Sequence, residues 1–183
     1  MNIKSLSILG AAVVEMDPLV DPRGVFCRWF CQQELQSLIG SRRIVNMNFS
    51  RTEKTGAIRG LHFQYPPKAE MKLIRCIRGS VFDVIVDLRK DSPTFLKWHG
   101  ELLTAENMKM LVVPEGFAHG FQTLEEKSEM LYLHTEFYSK ELDAGICYHD
   151  PRIGIEWPLP AVEVSVKDQA YALLDGAFEG IKV

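Results

Sequence analysis

The stretch G-A-I-R-G-L-H-F-Q (56–64) decides how the chain is read. It is strand-like, and a strand sends successive side chains to opposite faces at a period of two. On a regular strand Arg59, Leu61 and Phe63 share one face, and Ile58, Gly60 and His62 share the other. Gly60, with no side chain, leaves room for a bulky neighbour to approach beside His62. A lone histidine there is either a core residue with a satisfied hydrogen bond or a working group, and the strand alone does not choose.

Working outward, short β-like runs recur from Arg43 onward: 43–50, 57–64, 71–78, 80–89, 95–103, 108–113, 117–124 and 129–136. Turn chemistry separates them, at Pro66-Pro67, Arg78-Gly79, Asp91-Ser92-Pro93, 104–107 and Pro114-Glu115-Gly116. Eight such runs predict an all-β sandwich or barrel rather than a βαβ fold. Upstream, 6–14 reads as a first strand; Glu15 and Asp17 close the apolar run too early for a signal peptide. Asp17-Pro18 and Asp21-Pro22-Arg23-Gly24 predict a hairpin or tight corner. Leu35, Leu38 and Ile39 stand at helical spacing before Gly40, so 32–39 predicts a short helix. The segment 139–160, rich in Gly, Pro and charge, predicts an ordered loop over one end of the barrel, and 168–174 a short C-terminal helix.

The chain of 183 residues is long enough for one domain, 1–183, with a substantial core. It is 46% hydrophobic and 25% charged with a net charge of -3, and it has no basic stripe. That balance argues against nucleic-acid and membrane-surface partners. No apolar run approaches the ~18 residues of a membrane span. Cys27, Cys31, Cys76 and Cys147 form no C-x-x-C pair and no compact His/Cys cluster. Reduced cysteines in a cytoplasmic protein are the expected state.

A second histidine, His119, lies in P-E-G-F-A-H-G-F (114–121), where a Pro-x-Gly corner leads into another strand. Two histidines on separate strands of a small barrel invite a metal hypothesis. Metal-binding cupin barrels supply an H-x-H pair and a Glu from a first motif and a His from a second, but two after His62 stands Gln64. Two histidines fall short of the three or four ligands a transition metal takes. The expectation is therefore a cupin-like barrel with no metal and no cofactor. What remains is a set of acid–base and anion-binding types: Arg23, Arg59, His62, Lys72, His119, Tyr132, Tyr138 and Asp168. Each has an ordinary reading. Lys72 is equally a surface lysine, Tyr132 a core aromatic, Tyr138 a loop aromatic, and Asp168 a helix N-terminal residue favoured by the dipole. Together they offer more. A neutral imidazole oriented by a carboxylate takes a proton, a phenol returns one from another direction, and Arg or Lys donates to phosphate or to an enolate oxygen.

The runs R-G-L-H-F-Q (59–64), V-F-D-V-I-V-D-L-R (81–89), S-P-T-F (92–95), A-E-N (105–107), P-E-G-F-A-H-G-F (114–121), E-M-L-Y (129–132) and G-I-E-W-P (154–158) resemble the dTDP-4-dehydrorhamnose 3,5-epimerase family. The similarity extends from D-P-R-G near the N-terminus to S-V-K-D near the C-terminus, in one order. The resemblance implies a cupin-type jelly roll, a homodimer, no metal, and a nucleotide-diphosphate sugar with a 4-keto-6-deoxyhexose. The ketone acidifies the C–H bonds at C3 and C5, so deprotonation gives an enolate and reprotonation from the other face inverts the centre. By position, His62 matches the family's base, Asp168 its carboxylate partner, Tyr132 its proton donor and Lys72 the group that steadies the enolate oxygen. Arg23, Arg59 and His119 match diphosphate- and sugar-side contacts, Lys167 a nucleotide-side contact, and Tyr138 the ring that stacks on the base. The product would feed deoxysugar biosynthesis for surface polysaccharide.

The chain also departs from the family. Arg28 stands where the family has a Glu at the nucleotide end, and Asn46-Met47-Asn48 where it often has Q-x-N. A carboxylate there accepts the N3–H of thymine; an arginine, which only donates, suits the N3 acceptor of cytosine. The handle is thus open between dTDP and CDP, with Arg28 bound to a phosphate as the alternative. Asp143 replaces a common Glu and Phe137 a frequent Tyr. Whether C3, C5 or both are inverted stays open. Two readings from other classes compete: a non-catalytic sugar-binding jelly roll and a metal-dependent cupin oxygenase.

Overall fold

A computed structural model describes all residues, 1–183. The chain runs β1 (Asn2–Ser5), β2 (Ala12–Glu15), β3 (Leu19–Asp21), β4 (Gly24–Phe26), α1 (Gln36–Ile39), β5 (Asn46–Thr52), β6 (Ala57–Gln64), β7 (Lys72–Arg78) and β8 (Ser80–Asp87). It continues through β9 (Trp98–Thr104), β10 (Lys109–Val113), β11 (Phe117–Thr123), β12 (Ser128–His134), β13 (Asp143–Gly145), β14 (Glu163–Val164) and α2 (Val166–Gln169). One sheet has the order β1-β2-β10-β7-β12-β5, the other β13-β6-β11-β8-β9, and the two stack as a jelly roll.

All eight expected runs from residue 43 onward are strands, with ends shifted by up to three residues. The inner faces meet in a cluster built from Ile74, Leu111 and Met130 of the first sheet and Val81, Ile85 and Phe121 of the second. Each outer face is covered as well. Leu35 and Ile39 pack on Leu73 and Val112, while Ile146, Ile153 and Ile181 pack on Leu61, Val84 and Val86. Strands buried on both faces need no polar partner residue, so β10 (K-M-L-V-V) and much of β8 are near-continuous apolar runs. Full burial of each such Leu or Ile is worth about 1.5–3 kcal/mol.

Three expectations are corrected. Of the first strand expected over 6–14 only 12–14 is strand, the start of β2; β1 precedes the run and pairs with β2 as a hairpin, Ile3 opposite Val14, with the turn falling inside the apolar run. Of the helix over 32–39, only the last turn is α-helical; Leu35 and Ile39 are its buried contacts. The C-terminal helix is a single turn that starts before 168, because Ser165 caps it by accepting the Asp168 N–H at 3.0 Å. The corner at 17–24 is the β3–β4 hairpin, and the loop region 139–160 contributes β13 to the edge of β6.

Candidate active site

The regular alternation expected for β6 does not hold. His62 pairs with His119 and Arg59 with Phe121, so three steps along β6 oppose two along β11. The extra residue reverses the faces, and Arg59 and His62 line the same cavity while Leu61 and Phe63 pack on the outer cluster. The space beside Gly60 is taken by backbone. Its φ is +119°, and a Cβ there would stand 2.6 Å from Gly120 Cα and 2.8 Å from the His119 carbonyl oxygen. Gly60 thus serves the close approach of two strands and leaves no room for a ligand.

The cavity has a volume of about 910 Å³ and opens between the sheets beside the apolar cluster. The second sheet supplies Arg59, His62 and His119; the first supplies Asn48, Lys72 and Tyr132. α2 adds Lys167 and Asp168, and it reaches the site because β14 lies parallel along the first residues of β6 and runs directly into it. His62 Nε2 is 2.6 Å from Asp168 Oδ1, and the other carboxylate oxygen accepts the Gly60 N–H at 3.1 Å. Burial acts to raise the Asp168 pKa, but the hydrogen bonds from His62 and Gly60 outweigh it and hold the carboxyl below its usual range. An ionised carboxylate only accepts, so Nε2 carries the proton and Nδ1 is left with its lone pair. The edge of the Tyr171 ring, 6.0 Å between centroids, flanks the imidazole.

From the opposite sheet, Tyr132 is half-buried with its hydroxyl 2.8 Å from Ser50 Oγ. Burial pushes its phenol pKa upward, so it stays protonated across the neutral range. His119 Nε2 lies 3.0 Å from both oxygens of the fully buried Asp83. Burial disfavours charge on both, raising the Asp83 carboxyl and lowering the His119 imidazole. Lys72 Nζ sits 3.3 Å from Glu70 and 3.4 Å from the His62 carbonyl oxygen. Arg59 donates to Thr52 and to the Arg51 carbonyl, and alone among the cavity's cations it has no carboxylate partner. It is the ready donor for an anionic ligand.

Eight of the thirteen residues singled out from sequence line this cavity: His62, Asp168, Tyr132, Lys72, Asn48, Arg59, His119 and Lys167. Five lie outside its lining. Asn46 donates to the Glu136 carbonyl, and Tyr138 hydrogen-bonds Asp143, which also pairs with Lys167. Arg23 is 90% exposed at the tip of the β3–β4 hairpin, paired with Asp21. Arg28 donates to Glu34 at 2.8 Å, so the guanidinium behind the cytosine reading is engaged away from the cavity. Gln64, at the place of a second metal-binding histidine, holds the loop through Lys68, Phe137 and Ser139. Sequence reasoning missed Ser50, Asp83, Glu70, His134 and Tyr171. Asp83 in V-F-D-V-I-V-D carried the one available signal, a charge within an apolar run.

A two-sheet jelly roll whose inner faces supply imidazole, phenol and ammonium groups to one cavity is the architecture of the cupin-type epimerases. The model of the dTDP-4-dehydrorhamnose 3,5-epimerase family matches residues 5–176, and the chain belongs to that family. A relative of that name from Salmonella typhimurium is 48% identical over 179 residues, covering 97% of each chain. Among solved structures, the dTDP-6-deoxy-D-glucose-3,5-epimerase of Legionella pneumophila, in complex with dTDP-4-keto-L-rhamnose, superposes with a TM-score of 0.92 at 38% identity, covering 100% of this chain and 98% of that one. The Bacillus anthracis dTDP-4-dehydrorhamnose 3,5-epimerase, with TDP and PPi bound, gives 0.91 at 40% identity, covering 94% and 99%.

Proposed function

We propose that this chain, acting as one domain over residues 1–183, is an epimerase that inverts C3 and C5 of a dTDP-linked 4-keto-6-deoxyhexose. The observation that carries the reading is the His62–Asp168 pair facing the cavity from one sheet while Tyr132 faces it from the other. His62 Nδ1 removes the proton from the carbon beside the ketone, and Asp168 stabilises the imidazolium. The electron pair moves onto the ketone oxygen, where the Lys72 ammonium stabilises the enolate. Tyr132 delivers its hydroxyl proton to the opposite face of the same carbon. Each inversion leaves a protonated imidazole and a phenolate, so one proton must pass from His62 to Tyr132 through solvent before the next. Burial raises the phenol's pKa and makes that return favourable. Arg59 and Lys167 take the diphosphate and nucleotide side, and the bland alternatives for them, solvated surface cations, would bind no nucleotide.

The same reading includes a homodimer in the cytoplasm. Leu19, Val20, Val25 and Phe26 of the β3–β4 hairpin are each more than half exposed, as are Met47 and Phe49 on edge strand β5. An apolar surface of that extent suits a second copy, and a partner's hairpin is also what would carry Arg23 and Arg28 to a neighbouring cavity. All four cysteines are free, as in a reducing compartment. Light scattering should give twice the chain mass for the wild type and the single mass for Phe26→Asp; a monomeric wild type would overturn the assembly. For the activity, turnover of dTDP-4-keto-6-deoxyglucose in D₂O is followed by NMR. Deuterium enters C3 and C5 in the wild type and is lost by at least ~10³-fold in a folded His62→Ala. Undiminished exchange in that variant would remove His62 as the base. Calorimetry with dTDP and CDP tests the handle, with dTDP expected to bind more tightly.

A further inference from the structure

The cavity wall of the first sheet carries a third histidine–carboxylate pair, one that the reaction above does not use. His134 Nδ1 is 2.8 Å from Glu70 Oε2, and the other Glu70 oxygen is 3.3 Å from Lys72 Nζ. All three side chains are largely enclosed, at 13%, 9% and 9% exposure. His134 sits directly across from Lys72 on β7, and its ring lies 6.3 Å from that of Tyr132. The remaining ring nitrogen, Nε2, is 3.2 Å from Asn48 Nδ2, and both His134 and Asn48 line the cavity.

These contacts set donors against acceptors. Burial opposes charge on Glu70, but His134 and Lys72 more than offset it, so the carboxyl is ionised and accepts from Nδ1–H. In the neutral imidazole with Nδ1–H on Glu70, Nε2 is the acceptor that faces the Asn48 amide nitrogen, a donor. That leaves Asn48 Oδ1 as the free end of the amide, since it makes no hydrogen bond within the protein. Only a carboxylate serves both neighbours, because a glutamine at 70 has one acceptor for two donors.

We propose that Glu70 and His134 are positioning residues: Glu70 ties Lys72 to His134, and His134 holds the Asn48 amide with Oδ1 turned to the cavity as acceptor for a hydroxyl or N–H of the nucleotide sugar. The inference rests on the epimerase reading and adds to it a coupling between the ammonium that steadies the enolate and a ligand-binding amide.

The test is a cycle of His134→Leu, Asn48→Ala and the double variant, with Glu70→Gln and His134→Gln beside them. kcat and KM are read on dTDP-4-keto-6-deoxyglucose. Asn48→Ala and His134→Leu should each raise KM by about tenfold, the change expected for one lost ligand hydrogen bond, with kcat within about threefold. The double variant should be no worse than Asn48→Ala alone, because both remove one contact. Glu70→Gln should raise KM alike and also lower kcat. His134→Gln, which can donate to Glu70 and accept from Asn48, should restore KM to within about threefold. An unchanged KM in Asn48→Ala, an exposed position whose variant folds, would overturn the proposal. So would effects of His134 and Asn48 that multiply. Either result with wild-type turnover intact leaves the epimerase reading standing, whereas a wild type with no turnover overturns both.

Discussion

Replacing Asp168 by asparagine exchanges one oxygen for an NH₂ group and reverses the chemistry of His62. The carboxylate now accepts from His62 Nε2 at 2.6 Å and from the Gly60 N–H at 3.1 Å. Asparagine can keep the second contact through its carbonyl oxygen, but its other end is an NH₂ group, which donates. To avoid placing two donors face to face, His62 shifts its proton from Nε2 to Nδ1, the nitrogen that must be free to take a proton from carbon. The base is then present, correctly placed and in the wrong tautomer. Loss of a positioned general base costs about 10²–10⁴ in rate, or about 3–5 kcal/mol of barrier. Since Asp168 touches no ligand atom in this scheme, KM should change by less than about threefold. Stability offers a second readout. The folded Asp168 pKa lies below its ordinary value of 3.8, so its contribution is present above that value and lost as pH falls through the folded one. The wild type should therefore exceed Asp168→Asn in unfolding free energy at pH 7, and the gap should close below pH ~4. Deuterium exchange at C3 and C5 gives the first number and urea unfolding at pH 7 and pH 3 the second. A kcat within about tenfold of wild type would refute the tautomer argument.

Tyr132→Phe keeps the ring that packs against the apolar cluster and deletes only the hydroxyl bonded to Ser50. The His62 base still works in it, so deuterium should wash into the substrate without inversion, and inverted product should fall by about 10²–10⁴. Inversion at the wild-type rate would require another acid. Gly60→Ala forces a residue with a side chain to a φ of +119° and drives a Cβ to within 2.6 Å of Gly120 Cα. Urea denaturation should show a loss of more than about 3 kcal/mol, and a loss under about 1 kcal/mol would contradict the close-packed description of β6 and β11.

The eight strands from β5 to β12 and the sandwich class were legible in the sequence because turn chemistry at Pro66-Pro67, Asp91-Ser92-Pro93 and Pro114-Glu115-Gly116 separates runs of strand length. The faces of β6 were not. Alternation assumes an unbroken ladder, and the bulge opposite Phe121 that brings Arg59 beside His62 is fixed by two glycines meeting across strands, Gly60 and Gly120. No local pattern announces such a meeting. The same limit explains the partners that were missed. Glu70, Ser50 and Asp83 act through residues 64, 82 and 36 positions away, and only the assembled sheets bring them into range. Asp168 was found from the order of motifs, not from its own surroundings, which read equally well as a helix start. Its role as partner to His62 depends on β14 joining the edge of β6 and delivering α2 to the site.

The division of groups between the two sheets has a consequence for the chemistry. Proton removal and proton return must come from opposite faces of one carbon, and two stacked sheets present side chains to the space between them from two directions. His62 belongs to the sheet of β6, with its carboxylate on α2 beside that sheet, while Tyr132 and Lys72 belong to the sheet of β12 and β7. A flat ring lying between the sheets has one face toward each. The apolar cluster beside the cavity ties the sheets together through Ile74, Ile85, Phe121 and Met130, all nearly inaccessible to water. Interiors packed at this density deform little, so the separation of acid from base is set by the core and not by the loops. Truncating one core side chain next to Tyr132, as in Met130→Ala, should therefore lower kcat as well as stability, even though Met130 never meets the sugar.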